Sequence, residues 1–369
     1  MKITVKNKKD LLDGLNKVHS VVEKKNTLQI LSNILLSATG ESLVIKATDL
    51  EVSMETVLPV QVLEEGKATV SAKNFLEIVR ELPEKEINIF TKPNHWVGIT
   101  CGKSTFNILG LSPEDYPSLP GSNVRTACRA RSDVLRKMID YTLFAVSNDE
   151  TRYQMNGVYL EPLEGGKCRM AGTDGHRLSY YEDSLFEDLV PFSKGVIIPR
   201  KGIQEIRKVV DTVTGAVEFS IEGNHVLIKA PGTFLSVRLI EGQYPDYKLV
   251  IPKNNNRTME IDRNSFADSL RRVSLLANEK VRGVKLYLTP GKLEVSSSNP
   301  EIGEATEIIE TNYQGDPLEI GFNARYLQET LAVIDSPQVV FELNDRMSPG
   351  VIKLPHKTDY LSVMMPMRL

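Results

Sequence analysis

The sequence predicts an α+β protein built from three tandem copies of one domain, each copy pairing short amphipathic helices with antiparallel strands. Three observations carry this. First, a tight turn recurs between alternating apolar and polar runs: Thr48-Asp49 in "LVIKATDLEVSMET", Thr173-Asp174 in "CRMAGTDGHRLSYYE" and Ser298-Asn299 in "LEVSSSNPEIGEATE", each 125 residues after the last. Such alternation around Thr-Asp or Ser-Asn is a hairpin signature, because these side chains bond nearby backbone and tolerate tight turns. Second, "VSAKNFLEIVRELP", "IPRKGIQEIRKVV" and "GFNARYLQETLAVI" each read as a strand end running into a helix, with Phe75, Ile203 and Leu327 equivalent. Third, "STFNILGLSPEDYP" matches "GTFLSVRLIEGQYP", and the "LSV" of residues 235–237 returns at 361–363. A period this long means duplicated whole domains, since solenoid units run at roughly 20–50 residues.

Each copy opens with a helix whose apolar residues fall on one face. In copy one Leu11, Leu12, Leu15 and Val18 form the stripe, with Lys8, Lys9 and Lys17 outside it. In copy two it is Val134, Leu135, Met138 and Ile139, with Arg131, Arg136 and Lys137 elsewhere. In copy three it is Phe266, Ala267, Leu270 and Val273, with Arg263, Arg271 and Arg272 off it. Strands, the second helix and more strands follow. Runs of strands and helices without strict βαβ alternation favour antiparallel pairing. The polar, Pro-, Gly- or Asn-rich segments "LPGSNVRTACR" and "IPKNNNRTMEI" are candidate linkers. They place the domains at 1–122, 129–253 and 254–369.

The chain has 369 residues, 45 Lys and Arg against 48 Asp and Glu, and a net charge of -3, so bulk charge does not announce a nucleic-acid binder. Charge can still be segregated by face. The helices are consistently basic, while acid collects in stretches such as "EDSLFEDL" and "EIGEATEIIE". Six helices with one bias favour a shared basic surface that contacts phosphates without reading sequence. The three cysteines, Cys101, Cys128 and Cys168, are far apart and show no metal-ligand spacing, which reads as a reduced, cytoplasmic compartment. No metal site, cofactor or membrane span is expected, and no GxxxxGK[ST] loop is present.

The stretch "AGTDGHRLSYY" puts Asp174, His176 and Arg177 side by side and invites a catalytic reading. Its recurrence as a turn argues instead for a structural Asp174, with no nucleophile or metal partner in view. A hydrolase using Asp174 and His176 stays open as the alternative, as does a peptide-binding scaffold that never meets DNA.

Taken with the three repeats, "ATDGHRLS"-like residues at 171–179, "YPDY" at 244–247, "NEKVRGVKLYL" at 278–288 and the terminus "VMMPMRL", the whole chain resembles the bacterial sliding-clamp family, the beta subunits of DNA polymerase III. That resemblance implies a non-catalytic processivity factor: a head-to-tail, ring-shaped homodimer of six DNA-clamp domains that encircles double-stranded DNA without sequence preference. It implies as partners the DNA polymerase III alpha subunit, other polymerases and an ATP-dependent clamp loader. It also implies a hydrophobic cleft for short peptides of QLxLF type. On the matching positions here the cleft takes Met155, Thr173, Gly175, His176, Arg177 and Leu178, then Pro245 and Val250. Asn323 and Tyr326 follow, then Val363, Met364, Met365, Pro366, Met367 and Arg368 of the tail. His176 and Arg177 would fix a peptide's polar groups, and methionines adapt to several ligands. Leu249 stands where the family often has arginine, which would alter the cleft's preference. For DNA the resemblance points to Lys25, Lys73, Arg80, Arg152, Tyr153, Lys201, Arg207, Lys208 and Arg282. For the ring interface it points to Phe106 and Ile108 of one chain against Leu275 and Leu276 of the next.

Overall fold

The computed structural model of the chain describes residues 1–22, 28–118, 127–149, 151–278 and 281–368. Six α-helices are among them, two per repeat: α1 (Lys8–His19), α2 (Ala72–Glu81), α3 (Ser132–Asp140), α4 (Arg200–Asp211), α5 (Arg263–Val273) and α6 (Ala324–Val333). Four of their starts are set by side chains that accept otherwise unpaired backbone N–H groups. Asn7 accepts from Lys9, Ser71 from Asn74, Asp262 from Ser265 and Asn323 from Arg325. The apolar stripes are buried as expected, with Leu11, Leu15, Leu135, Met138, Phe266 and Leu270 almost wholly enclosed. The equivalents Phe75, Ile203 and Leu327 are each fully buried.

Among the described residues every strand pairing is antiparallel, in four sheets. Contacts divide the chain into two compact units: residues 1–133, 187–191 and 201–239, and residues 134–186, 192–200 and 240–369. The first unit holds a five-stranded sheet, in the order Gln61–Glu64, Lys2–Val5, Ile87–Thr91, Trp96–Cys101, Ser104–Leu109. It also holds an eight-stranded sheet, in the order Cys128–Arg131, Ala216–Glu222, His225–Ala230, Thr233–Arg238, Val52–Pro59, Ser42–Thr48, Asn33–Thr39, Gly66–Ser71. The second unit repeats the plan. Its eight strands run Val196–Pro199, Gly157–Pro162, Cys168–Thr173, Arg177–Asp183, Tyr360–Met364, Gly350–Lys353, Gln338–Leu343, Arg257–Asp262. Its four-stranded sheet runs Gly303–Glu310, Lys292–Asn299, Gly283–Thr289, Leu318–Asn323.

This division follows the sheets rather than the repeats. The closing strand of copy two, Thr233–Arg238, pairs with the hairpin strand Val52–Pro59 of copy one. In the same way the closing strand of copy three, Tyr360–Met364, pairs with Arg177–Asp183 of copy two. Backbone ladders therefore stitch half of one copy to half of the next.

The cysteines are free, with Cys101 and Cys168 buried and Cys128 half-buried. Burial pushes the Cys168 thiol up to about 12, far from the thiolate that reacts. In the native protein only Cys128 is expected to react rapidly with Ellman's reagent. Fast release of three thiol equivalents before denaturation would contradict this packing.

Candidate functional site

The opening stretch of interest forms a hairpin turn in the second unit. Thr173 Oγ accepts from Gly175 N at 3.1 Å and donates to Arg177 O at 2.6 Å. Asp174 Oδ1 accepts from His176 N at 2.9 Å and from Arg177 N at 3.0 Å. The first unit has the same lacing: Thr48 Oγ accepts from Leu50 N and donates to Val52 O, and Asp49 Oδ1 accepts from Glu51 N and Val52 N. In the third copy Asn299 Oδ1 accepts from Glu301 N, while Ser298 is exposed. The Thr-Asp pair is turn chemistry: one carboxylate oxygen is bonded by backbone, and the other pairs with a cation, Arg177 at Asp174 and Lys201 at Asp49.

Arg177 is equally committed. Its side chain is 8 % exposed. Nε donates to Asp174 Oδ2 at 3.1 Å, Nη1 to Glu329 Oε2 at 2.5 Å, and Nη2 to the carbonyl of Phe144 at 2.5 Å. The Tyr326 ring lies 4.3 Å from the guanidinium carbon. With each arm of the fork taken, Arg177 is a strut between the turn and α6. Arg177 nevertheless lines the cleft described next. His176 is the exposed member, and its carbonyl accepts from Met365 N at 2.9 Å.

Beside this turn lies a cleft open to solvent, and most of its surface is apolar. Met155, Thr173, Gly175, His176, Arg177, Leu178, Pro245, Val250, Val363 and Met365 line it. Leu178 and Val363 sit opposite each other on paired strands and are almost fully buried, so the floor is the surface of the unit's core. The wall at residues 245–250 is held by two tyrosines. Tyr244 stacks on Tyr159 with ring centroids 4.9 Å apart. Tyr247 donates its phenol to Glu161 and accepts from Arg169 Nη1 at 3.1 Å. Burial, foremost, raises both phenols above their ordinary value, so they remain donors. Asp246 and Tyr247 also line the cleft. The sequence reading passed over them, although the quoted "YPDY" contained both.

Several expected cleft residues stand outside this lining. Asn323 caps α6 through its side chain, and Tyr326 stands behind Arg177. Met364 is 1 % exposed and points into the core, because strand alternation puts it on the face opposite Val363. Pro366, Met367 and Arg368 do not line the cleft. The tail is also tied to the fold: Met365 N bonds His176 O, and Met367 N bonds Gly321 O across a one-residue bridge. Pairing thus continues past Pro366. Leu249 is 81 % exposed and off the cleft wall, so its departure from arginine does not alter the lining.

Among the residues expected at DNA, Lys73, Arg80, Lys208, Arg152, Tyr153 and Arg282 are exposed. Arg207 pairs with Asp211 at 3.1 Å, and Lys208 with the buried Glu205 at 2.7 Å. Lys201 corrects the expectation, because its ammonium turns inward to the Asp49 carboxylate and the Val21 carbonyl. Lys25 lies outside the described residues. Elsewhere the basic helices are partly neutralised: Lys137 meets Asp335, Arg271 Asp268 and Arg272 Glu307. At the expected interface, Leu275 is 74 % and Phe106 37 % exposed, while Ile108 and Leu276 are half-buried. No group of His, Cys, Asp and Glu among the described residues is placed to hold a metal ion. Among them, too, no helix is long and apolar enough to cross a membrane.

Three family models match in succession: the N-terminal domain of the DNA polymerase III beta subunit over residues 1–120, its central domain over 130–246 and its C-terminal domain over 248–368. The beta sliding clamp of Caulobacter vibrioides is 37% identical over 374 residues, covering 100% of both chains. The chain belongs to the DNA polymerase III beta subunit family. That of Pseudomonas aeruginosa is 35% identical over 364 residues, covering 97% of this chain and 98% of its own. Among solved structures, the sliding clamp of Bartonella birtlesii bound to griselimycin is similar with a TM-score of 0.95 and 33% identity, covering 100% of each chain. The chain is thus a sliding clamp of DNA replication, a non-catalytic subunit, and the hydrolase reading of Asp174 and His176 falls away.

Proposed function

We propose that two copies of this chain close head to tail into a ring around duplex DNA, and that the cleft of the second unit tethers polymerases to it. One observation carries the ring. Twice within the chain, the closing strand of a copy completes the hairpin of the copy before it. The third such junction is missing. Its halves, the closing strand Ser104–Leu109 of copy one and the hairpin strand Gly303–Glu310 of copy three, are both sheet edges. Both expose apolar residues: Phe106 and Leu109 on one, Ile308 on the other. Long apolar edges invite pairing. Joining the edge of one chain to that of its partner is a heterologous contact that closes when the rotation is right. Phe106, Ile108, Leu275 and Leu276 would form its apolar core. The division at 1–122, 129–253 and 254–369 fits this sixfold plan and is supported by the three successive family matches.

Basic residues on the helices, with Lys73 and Arg80 as exposed examples, would make diffuse phosphate contacts. A clamp must slide, so topology does the holding. Lys73→Ala or Arg80→Ala should weaken DNA contact slightly, equally for every sequence, and lower the salt slope by about 1. A substitution that changed preference among sequences would contradict this. The cleft would receive short apolar peptides of the alpha subunit, other polymerases and the ATP-dependent clamp loader in turn, in a cytoplasmic setting. The decisive assay loads the protein onto nicked circular DNA and then linearises it. Retention on the circle with escape from the ends supports the ring, and equal retention on both would overturn it.

Met365 tests the cleft. Among the described residues beyond the strand Tyr360–Met364, it is the one that lines the cleft. Removing residues 365–369 should weaken a QLxLF-type peptide by roughly 2 kcal/mol, about thirtyfold, from one lost apolar contact. The truncation removes the Met365 and Met367 backbone bonds. Unchanged affinity by fluorescence anisotropy, in a truncation of native dimeric mass, would sink the assignment.

A further inference from the structure

The first unit contains a second pocket at the same kind of junction as the cleft. It lies where the Thr48-Asp49 turn, the Tyr116-Pro117 segment and the closing strand Thr233–Arg238 meet, joined by the Gly223-Asn224 turn and the strand start His225, and it opens to solvent. These are the counterparts of the Thr173-Asp174 turn, the Tyr244-Pro245 segment and the closing strand at the cleft. Its chemistry is different. Polar and apolar surface are comparable here, and no carboxylate lines it. The nearby Asp49 carboxylate is taken by Lys201. His225 and Arg238 stand directly opposite each other on paired strands and share a face. Asn224 and Ser118 add an amide and a hydroxyl.

The turn itself is unusual. Leu50 has φ of +78°, at the position where the cleft hairpin has Gly175 at +86°. Glycine adopts that region freely, whereas a leucine there is strained. Strain of this kind collects at ligand sites. The strained leucine is also 51 % exposed, on the pocket wall. Packing within the unit gives no reason for an apolar side chain to be held there.

We propose that this pocket is a second peptide site, and that it takes an acidic–aliphatic segment of a partner protein. A carboxylate of the segment sits between Arg238 and His225, with hydrogen bonds from Asn224 and Ser118. An adjoining aliphatic side chain covers Leu50 and Pro117. A nucleic-acid phosphate would satisfy the cation but leave Leu50 uncovered, so the apolar wall favours peptide. The inference does not depend on what occupies the cleft of the second unit.

The test uses the full-length protein carrying 13C-methyl leucine, titrated with acetyl-Leu-Asp-Leu-amide while the Leu50 methyl signals are followed. A saturable shift is expected, at least tenfold weaker for the peptide with asparagine in place of aspartate. Arg238→Ala, a change at an exposed side chain, should weaken binding at least tenfold. Leu50→Gly should raise the thermal midpoint and yet weaken binding, read from broadening of the peptide's own signals. The absence of a saturable Leu50 shift, or equal affinity in Arg238→Ala, would overturn the proposal. So would a Leu50 shift produced by inorganic phosphate or a short duplex but not by the peptide.

Discussion

Changing both Leu275 and Leu276 to lysine is expected to yield a folded monomer. Leu275 is 74 % exposed at the end of α5, where the stripe of Phe266, Leu270 and Val273 is already satisfied inside. It therefore contributes nothing to the folded chain's core, and its loss should not unfold it. In the proposed ring each leucine is buried against Phe106 and Ile108, which stabilises the interface by roughly 1.5–3 kcal/mol per side chain. Two leucines give roughly 4 kcal/mol at one interface. A closed two-subunit ring has two such interfaces, so the double substitution removes about 8 kcal/mol from the dimer, or roughly five to six orders of magnitude in dissociation constant. Lysine adds the cost of desolvating an ammonium there. Light scattering at micromolar concentration should give one chain's mass, 41.2 kDa, with a cooperative melting transition that lies below the native dimer's, because association stabilises the folded state. A stable dimer in the variant would refute the interface, and with it the sheet-edge argument for the ring.

How much of this was legible beforehand depended on whether a feature is local or long-range. The Thr48-Asp49 and Thr173-Asp174 turns were readable because their bonds close within four residues. The helix stripes were readable because burial on one helix face has a fixed period. What could not be read were partners distant in sequence. Lys201 looks like a surface cation until the fold brings Asp49 to it, 152 positions away. Glu329 reaches Arg177 over the same separation. The two compact units were hidden for the same reason: linker composition marks where copies join, but ladders between copies decide what is compact. The tail misled in another way. Apolar composition suggested surface available for ligands, yet strand alternation sends Val363 to the cleft and Met364 to the core.

Arg177→Ala should destabilise the second unit by about 3 kcal/mol, as expected when one partner of a buried ion pair is removed and the other charges stay behind. Asp174 and Glu329 are the charges left; their side chains are only 16% and 28% exposed. Glu329 also shows how this depends on pH. Burial alone would raise its carboxyl, but bonds from Arg325 and Arg177 outweigh that and hold it below its ordinary value. A carboxylate with a depressed folded value contributes stability that is present above its unfolded value, near 4.3, and lost as pH falls through the folded one. Between pH 7 and the low end of the carboxylate range the native protein should therefore lose more stability than Arg177→Ala does. The two denaturation curves should converge as the medium becomes acid. Arg177→Ala, Glu329→Gln and the double variant form a cycle whose interaction energy isolates the pair. If Arg177 instead read a peptide directly, Arg177→Ala would melt like the native protein and lose only peptide affinity. Melting and titration on the same variant thus separate a strut from a ligand contact, and the three occupied arms of the guanidinium predict the strut.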